Sequence, residues 1–183
     1  EKIMTEKQRA PRNQTLTLSA EEADALRLRL VTERTITQER VLIGKTLHGD
    51  VQRMLERIPD AFADLIIIDP PYNLTKDFGA MRFHARSTGN YAAYLESWFP
   101  AVCKKLKAHG SLYVCGDWRC TASLQQAIEK ELTILNRITW QREKGRGAKK
   151  NWKNGMEDIW FATNSNKYTF NVEAVKVRRS VIA

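Results

Sequence analysis

Long apolar runs are missing from this 183-residue sequence. None approaches the roughly 20 residues that cross a bilayer, and Glu1-Lys2-Ile3-Met4 has no apolar signal-peptide core behind its charges. A soluble, intracellular, cytoplasmic chain with no membrane partner is the expectation. Cysteine is scarce: Cys103, Cys115 and Cys120 are odd in number and lack CxxC spacing, which argues against a disulfide framework and a zinc site. Three buried thiols are expected instead. His48, His84 and His109 are scattered without metal-ligand spacing, so no metal is expected. Acidic charge is short as well, with 21 Asp and Glu against 30 Lys and Arg and a net charge of +9. That balance fits a polyanionic partner better than a small neutral one. No internal repeat or low-complexity segment is visible.

What is present suffices for one sizeable core, since 43% of the residues are hydrophobic. Residues 1–14 are polar, contain Pro11 and show no periodicity, as in an arm or a poorly ordered end. Ser19-Ala20-Glu21-Glu22 is a capping box, and Ala23, Leu26 and Leu30 follow at helical spacing, which predicts a helix over 20–31. Residues 1–40 are thus an N-terminal arm and short helix. From residue 41 strand-like and helix-like segments alternate: a strand over 41–47, a helix from Val51 to Pro59, and Leu65-Ile66-Ile67-Ile68 as a strand buried on both faces. Tyr91, Tyr94, Leu95, Trp98, Phe99, Val102 and Leu106 mark one helix face that Pro100 must kink or break, and Gly110 stops it. Strands over 111–115, 134–140 and 158–163 follow, with a helix over 121–132 after the first. The alternation predicts an α/β fold with a mainly parallel sheet covered on both faces.

In open α/β sheets ligands bind beyond the carboxyl ends of the strands. The apolar strand ending at Ile68 delivers Asp69-Pro70-Pro71-Tyr72-Asn73 to that place. Two prolines fix two φ angles and remove two amide donors, so the turn is stiff and presents carbonyls. Such a cluster suits a planar amino group: Asp69 and the Pro70 carbonyl accept its two hydrogens while Tyr72 stacks on the ring that bears it. The plainer alternative is a turn after a core strand.

Asp69-Pro70-Pro71-Tyr72 resembles the DPPY catalytic motif of the DNA amino-methyltransferases, the enzymes of adenine N6 and cytosine N4. The resemblance extends over most of the chain from about residue 41. Gly44-Lys45-Thr46-Leu47-His48-Gly49-Asp50 looks like the segment that opens the β-class members, and Ser111 to Trp118 resembles the next strand and its active-site loop. Trp140 to Gly147 and Asn151 to Phe161 resemble the last core segments, whose intervening loop faces DNA in that family. The family's S-adenosylmethionine-dependent, Rossmann-like sheet is therefore implied, here partial, with 41–175 as the catalytic region and 176–183 as the start of a target-recognition region. The resemblance implies catalytic roles for Asp69, Pro70, Pro71 and Tyr72, and cofactor contacts for Asp50 and Asp69. Asp50 also reads as the N-cap of the helix beginning at Val51, and both roles can hold.

The implied chemistry is direct transfer of the sulfonium methyl to the N6 amine of adenine in double-stranded DNA, as in restriction-modification. An exocyclic amine is a poor nucleophile because its lone pair is delocalised; accepting both N–H bonds favours a tetrahedral nitrogen and frees that pair. This is positioning and electrostatics, with no covalent intermediate and no role for the cysteines. The base is to be flipped from the duplex, with Tyr72 as its platform. Cytosine N4 methylation is the alternative within the enzymes, disfavoured by Asp69 because many N4 enzymes carry Ser there. An inactive DNA-binding subunit is the alternative outside them.

Arg142, Lys144, Arg146, Lys149, Lys150 and Lys153, against a single Glu143 and flanked by Trp140 and Trp152, form a basic stretch able to follow a phosphate backbone. Lys76, Arg82 and Arg86, in the loop after Tyr72, are candidates for closing over the flipped base. What the chain lacks is the family's Phe-x-Gly-x-Gly cofactor turn; Phe78-Gly79-Ala80 is no substitute. The sequence thus reads as a front half, whose strand before Asp69 would be an uncovered apolar edge without the other half. The expected partner alongside DNA is a companion polypeptide carrying the cofactor-binding half, either a separately encoded subunit or the rest of a cleaved or longer chain.

Overall fold

The structure, a computed structural model, describes residues 17–36, 42–77, 82–146, 150 and 152–176. The chain forms two compact units, Glu1–Gly49 and Asp50–Ala183. The expected arm at 1–14, Val41, and the target-recognition segment beyond Lys176 lie outside the described residues.

In the first unit α1 (Ala20–Arg27) begins as its capping box requires. Ser19 Oγ accepts from the Glu22 amide at 3.1 Å, and Glu22 Oε2 accepts from the Ser19 amide at 2.8 Å. The helix stops short of the expected residue 31 and buries none of its side chains. The strand expected over 41–47 is not formed among the described residues. Gly44, at φ +69°, turns the chain, and only an isolated parallel bridge between Val31 and Leu47 remains.

The second unit runs α2 (Val51–Leu55), β1 (Ala63–Ile68), β2 (Lys76–Asp77), β3 (Arg82–Phe83), α3 (Thr88–Glu96), α4 (Phe99–Cys103), β4 (Leu106–Gly116), α5 (Thr121–Glu131), β5 (Thr133–Arg146), β6 (Asn154–Thr163) and α6 (Val172–Val175). The expected break at Pro100 separates α3 from α4, with the proline in the first turn of α4, where its missing N–H costs nothing. Gly110 lies inside β4, not before it. There the register jumps from Ala63↔Leu106 to Leu65↔Ser111, and an added Cβ would stand 2.7 Å from Leu106 Cδ1 and 3.1 Å from the Ala63 carbonyl.

The main sheet has the order β1-β4-β6-β5. β1 and β4 are parallel, whereas β6 runs antiparallel to both β4 and β5. Three strands therefore point one way and β6 returns between two of them. The expected mainly parallel sheet holds for strand direction but not for pairing, because β5 and β6 are joined as a hairpin without a crossover helix. Both strands also outrun their expected bounds: β4 ends level with Asp158, while β5 and β6 pair on through Trp140↔Glu157 and Gln141↔Met156 to Arg146↔Asn154. Much of the expected basic loop is thus a two-stranded ribbon projecting past the carboxyl edge of β4.

One face of the sheet, with Leu112, Val114, Trp160 and Ala162, packs on Tyr91, Leu95, Phe99, Leu124 and Ile128 of the helices. On the other, Tyr113 stacks on Phe161 at 4.8 Å and Phe161 meets Tyr168 and Phe170. This second face is bare toward β1, where Leu65 is 54% and Ile67 69% exposed. The expectation that β1 is buried on both faces is therefore corrected. It is an edge strand, and no described element covers that side.

Candidate active site

β1 ends at Ile68, so Asp69 leaves the sheet at its carboxyl end beside the end of β4, Ile68 being level with Val114. Asp69 is exposed, Pro70 buried, and Pro71 and Tyr72 half-buried. The turn is held from below. Tyr91, fully buried on α3, donates its hydroxyl to the Pro71 carbonyl at 3.0 Å, which leaves the Pro70 carbonyl outside that bond. Burial, and then the Asp69 carboxylate beside it, push the Tyr72 phenol well above the ordinary tyrosine range. Tyr72 is therefore a neutral ring next to an exposed carboxylate.

The loop after Tyr72 is closed at its base by Asn73. Its Nδ2 donates to the Arg86 carbonyl at 2.8 Å and its Oδ1 accepts from the Arg86 amide at 2.7 Å, as a backbone pair would. Thr75 Oγ1 accepts from the Ala85 amide at 3.1 Å, and β2 pairs antiparallel with β3. Of the cations expected to close over a base, Arg86 is committed to packing, its guanidinium lying 4.6 Å from the Tyr94 ring centre and 5.3 Å from that of Phe83. Arg82 is exposed, and the Lys76 side chain is outside the described residues.

Beside this turn a second one follows β4. Gly116 sits so close to α5 that an added Cβ would stand 2.4 Å from Leu124 Cδ1. Asp117, 5% exposed, accepts from the Arg119 amide at 2.8 Å, and its own amide donates to Cys120 Sγ at 3.3 Å. Burial pushes the Cys120 thiol up to about 11 and the Cys103 thiol up to about 12, and raises that of Cys115. All three are free and protonated at neutral pH, two of them buried and Cys115 half-buried. A thiolate nucleophile is not what these sites favour.

Asp50 is the N-cap of α2, its Oδ1 accepting from the amides of Gln52 and Arg53 at 3.0 and 3.3 Å. Arg142 is ion-paired with Glu157 and only 22% exposed, so it is not a free cation. Lys150 and Lys153 are exposed; Lys149 and the side chains of Lys144 and Arg146 lie outside the described residues. Among the described residues no cluster of three or more His, Cys, Asp or Glu is placed to hold a metal, and no helix is long and apolar enough to cross a membrane. Tyr91 and Asn73 are the site residues that sequence reasoning missed. Tyr91 had one available signal, since a buried tyrosine needs a partner for its hydroxyl.

An open α/β sheet with an Asp-Pro-Pro-Tyr turn at the carboxyl end of an edge strand defines a class, and comparison with known proteins identifies it. Residues 63–181 match the DNA methylase family of N6 and N4 methyltransferases, and the chain belongs to that family. It is 32% identical over 126 residues to the type II methyltransferase M1.MboII of Moraxella bovis, covering 67% of this chain and 47% of that one. It is likewise 32% identical over 133 residues to the DNA adenine methyltransferase YhdJ of Escherichia coli K12, covering 72% and 45%. The chain thus spans less than half the length of these relatives. In fold it is similar to the cytosine-N4-specific PvuII DNA methyltransferase, with a TM-score of 0.58 at 17% identity over 70% of this chain and 52% of that one. It is also similar to a DNA modification methylase of Thermus thermophilus complexed with S-adenosyl-L-methionine, with a TM-score of 0.51 at 19% identity over 69% and 55%.

Proposed function

We propose that this chain supplies the base-side half of an S-adenosylmethionine-dependent DNA methyltransferase that modifies the N6 amine of adenine in double-stranded DNA, within a restriction-modification pair. The observation that carries the reading is the exposed Asp69 carboxylate beside the half-buried Tyr72 ring, on a turn anchored by Tyr91. Asp69 and the Pro70 carbonyl accept the two amine hydrogens, and Tyr72 stacks on the flipped base. Both acceptors lie on one stiff turn, so the nitrogen is held with its lone pair directed away from them, at no reorganisation cost. The projecting β5–β6 ribbon, with Lys150 and Lys153 exposed near its tip, follows the DNA backbone and sets affinity and salt dependence. Lys144, Arg146 and Lys149 belong to the same contact by sequence, while Arg142 braces the ribbon through Glu157.

The methyl donor supplies an electrophilic sulfonium methyl when bound. The residues here fit one side of it only: Asp69 is exposed, Asp50 keeps a carboxylate oxygen outside its two capping bonds, and among the described residues no glycine-rich turn accompanies them. The bare β1 edge is where the half carrying that turn, as a separate polypeptide or as further chain, completes the pocket. Methyl transfer from labelled donor to unmethylated DNA, with and without the complementary half, tests this. Digestion to nucleosides followed by mass spectrometry names the base. The expected product is N6-methyladenine, abolished by Asp69→Ala while DNA binding stays within about twofold of wild type, as expected of a group that acts on the reacting amine and not on the DNA backbone. Near-normal transfer by Asp69→Ala sinks the assignment, and N4-methylcytosine as product replaces the base.

A further inference from the structure

Trp118 is 61% exposed, although it sits on a turn built on a buried aspartate and a buried cysteine. Asp117 is buried beneath it and holds the Arg119 amide at 2.8 Å and the Arg119 guanidinium at 3.5 Å. Cys120, fully buried, closes the turn by donating its thiol to the Asp117 carbonyl at 3.3 Å. The Arg119 guanidinium lies over the Trp118 ring at 4.9 Å from its centre. The chain thus spends a buried carboxylate and a buried thiol to fix an aromatic ring and a cation in solvent.

This turn is joined to the catalytic one. The Tyr91 hydroxyl that holds the Pro71 carbonyl also faces the Cys120 thiol, and Cys120 in turn meets the Asn73 backbone. The two turns follow β1 and β4, parallel neighbours in the sheet with Ile68 level with Val114. Trp118 and Tyr72 are therefore two rings at the same end of neighbouring strands. An exposed ring with a guanidinium over one face, itself paired with Asp117, matches one ligand chemistry well: a nucleobase on the uncovered face of the indole, with its adjoining phosphate drawing the cation from Asp117. The base stacks on the indole and the phosphate meets the cation.

We propose that Trp118 and Arg119 form a second base-binding site, in which Trp118 stacks on a base of the opened duplex next to the target and Arg119 takes the phosphate of that nucleotide. The site rests on the reading of the chain as a DNA methyltransferase and adds to it a contact that Tyr72 does not make.

The test measures binding of the full chain to a labelled mixed-sequence single-stranded 20-nucleotide DNA and to an abasic backbone of equal length, by fluorescence anisotropy across a salt series. Trp118→Ala should weaken binding to the base-bearing strand about tenfold and leave the abasic strand unchanged, with Trp118→Phe within about threefold of wild type. Arg119→Ala should instead lower the salt slope by about 0.7 on both strands. Because Trp118 is exposed, the variants are expected to fold, and far-UV circular dichroism checks that. Equal binding by Trp118→Ala and wild type on the base-bearing strand overturns the second site and leaves the methyltransferase reading standing. Failure of the wild-type chain to bind the base-bearing strand also overturns the second site, whereas the methyltransferase reading stands or falls by methyl transfer to duplex DNA.

Discussion

Replacing Tyr91 with phenylalanine removes one oxygen and keeps the ring that fills the core between α3 and the proposed catalytic turn. The bond lost is the 3.0 Å contact with the Pro71 carbonyl. An intramolecular hydrogen bond contributes about 0.5–1.5 kcal/mol net, and an acceptor left buried without a partner costs about 1–3 kcal/mol. Pro71 is only half-buried, so water can reach its carbonyl, and the lower part of that range applies: about 1 kcal/mol, or a few degrees in melting temperature for a unit of this size. The effect on turnover should be larger than on stability. Without Tyr91 the Pro71–Tyr72 peptide loses its fixed orientation, and with it the aim of the Pro70 carbonyl and the Tyr72 ring; a misplacement near 1 Å costs about 100-fold in rate. Steady-state methyl transfer by the complemented enzyme should show kcat reduced about 10- to 100-fold with KM for DNA within about twofold, since backbone contacts set the binding. A Tyr91→Phe enzyme that melts a few degrees lower yet turns over normally refutes the argument, because the hydroxyl would then be stabilising the fold without aiming the turn.

Gly116→Ala places a Cβ 2.4 Å from Leu124 Cδ1 and 3.2 Å from Cys120 Sγ; overpacking of this kind costs about 1–3 kcal/mol, to be read as a lower midpoint in urea. An unchanged midpoint would show that α5 slides away freely. The buried thiols predict a loss of stability at alkaline pH. With Cys120 at about 11 and Cys103 at about 12 in the fold, against about 8.5 when unfolded, the unfolded chain releases its protons first. Their contribution is complete below pH 8.5 and is lost as pH rises toward 11 and 12. Urea midpoints between pH 7 and 10.5 should fall in wild type and fall less steeply in a Cys103→Ala, Cys120→Ala double variant. Identical slopes for the two would count against it.

The parts of this molecule that were legible in sequence are those whose cause is local. Ser19 and Glu22 cap each other across a single turn, and the same holds for Asp50 and the first amides of α2. Asp69 to Tyr72 were legible because an apolar run, two prolines and a ring need nothing distant to be recognised. The placement of β6 was not, since a strand inserted between β4 and β5 depends on pairings with residues far away in the chain. Nor was the length of the ribbon: Gly145, Gly147 and the lysine run look like a loop, yet pairing with β6 carries β5 to Arg146. Gly44 ended a segment that β-branched composition had marked as strand. Tyr91 was hidden by its own apolarity, since its ring belongs to the helix face that the pattern found, and only its hydroxyl distinguishes it.

The two sides of the proposed reaction are built differently within this chain. On the base side every contact is internal: Tyr91 and Cys120 tie the Asp69 turn to the Asp117 turn, and Asn73 closes the loop between them and Arg86. None of these residues lies on the bare face of β1. That face carries Leu65 and Ile67, level with Ser111 and Tyr113 of β4, and it ends at Asp69. Covering what remains exposed of these two side chains, 54% and 69%, yields about 1–2 kcal/mol each, enough to matter for assembly yet directed at a surface that touches the Asp69 turn only through the strand itself. A complementary half docking on β1 would therefore bring the methyl donor to a base pocket that is already set, and its absence should cost methyl transfer much more than binding to DNA.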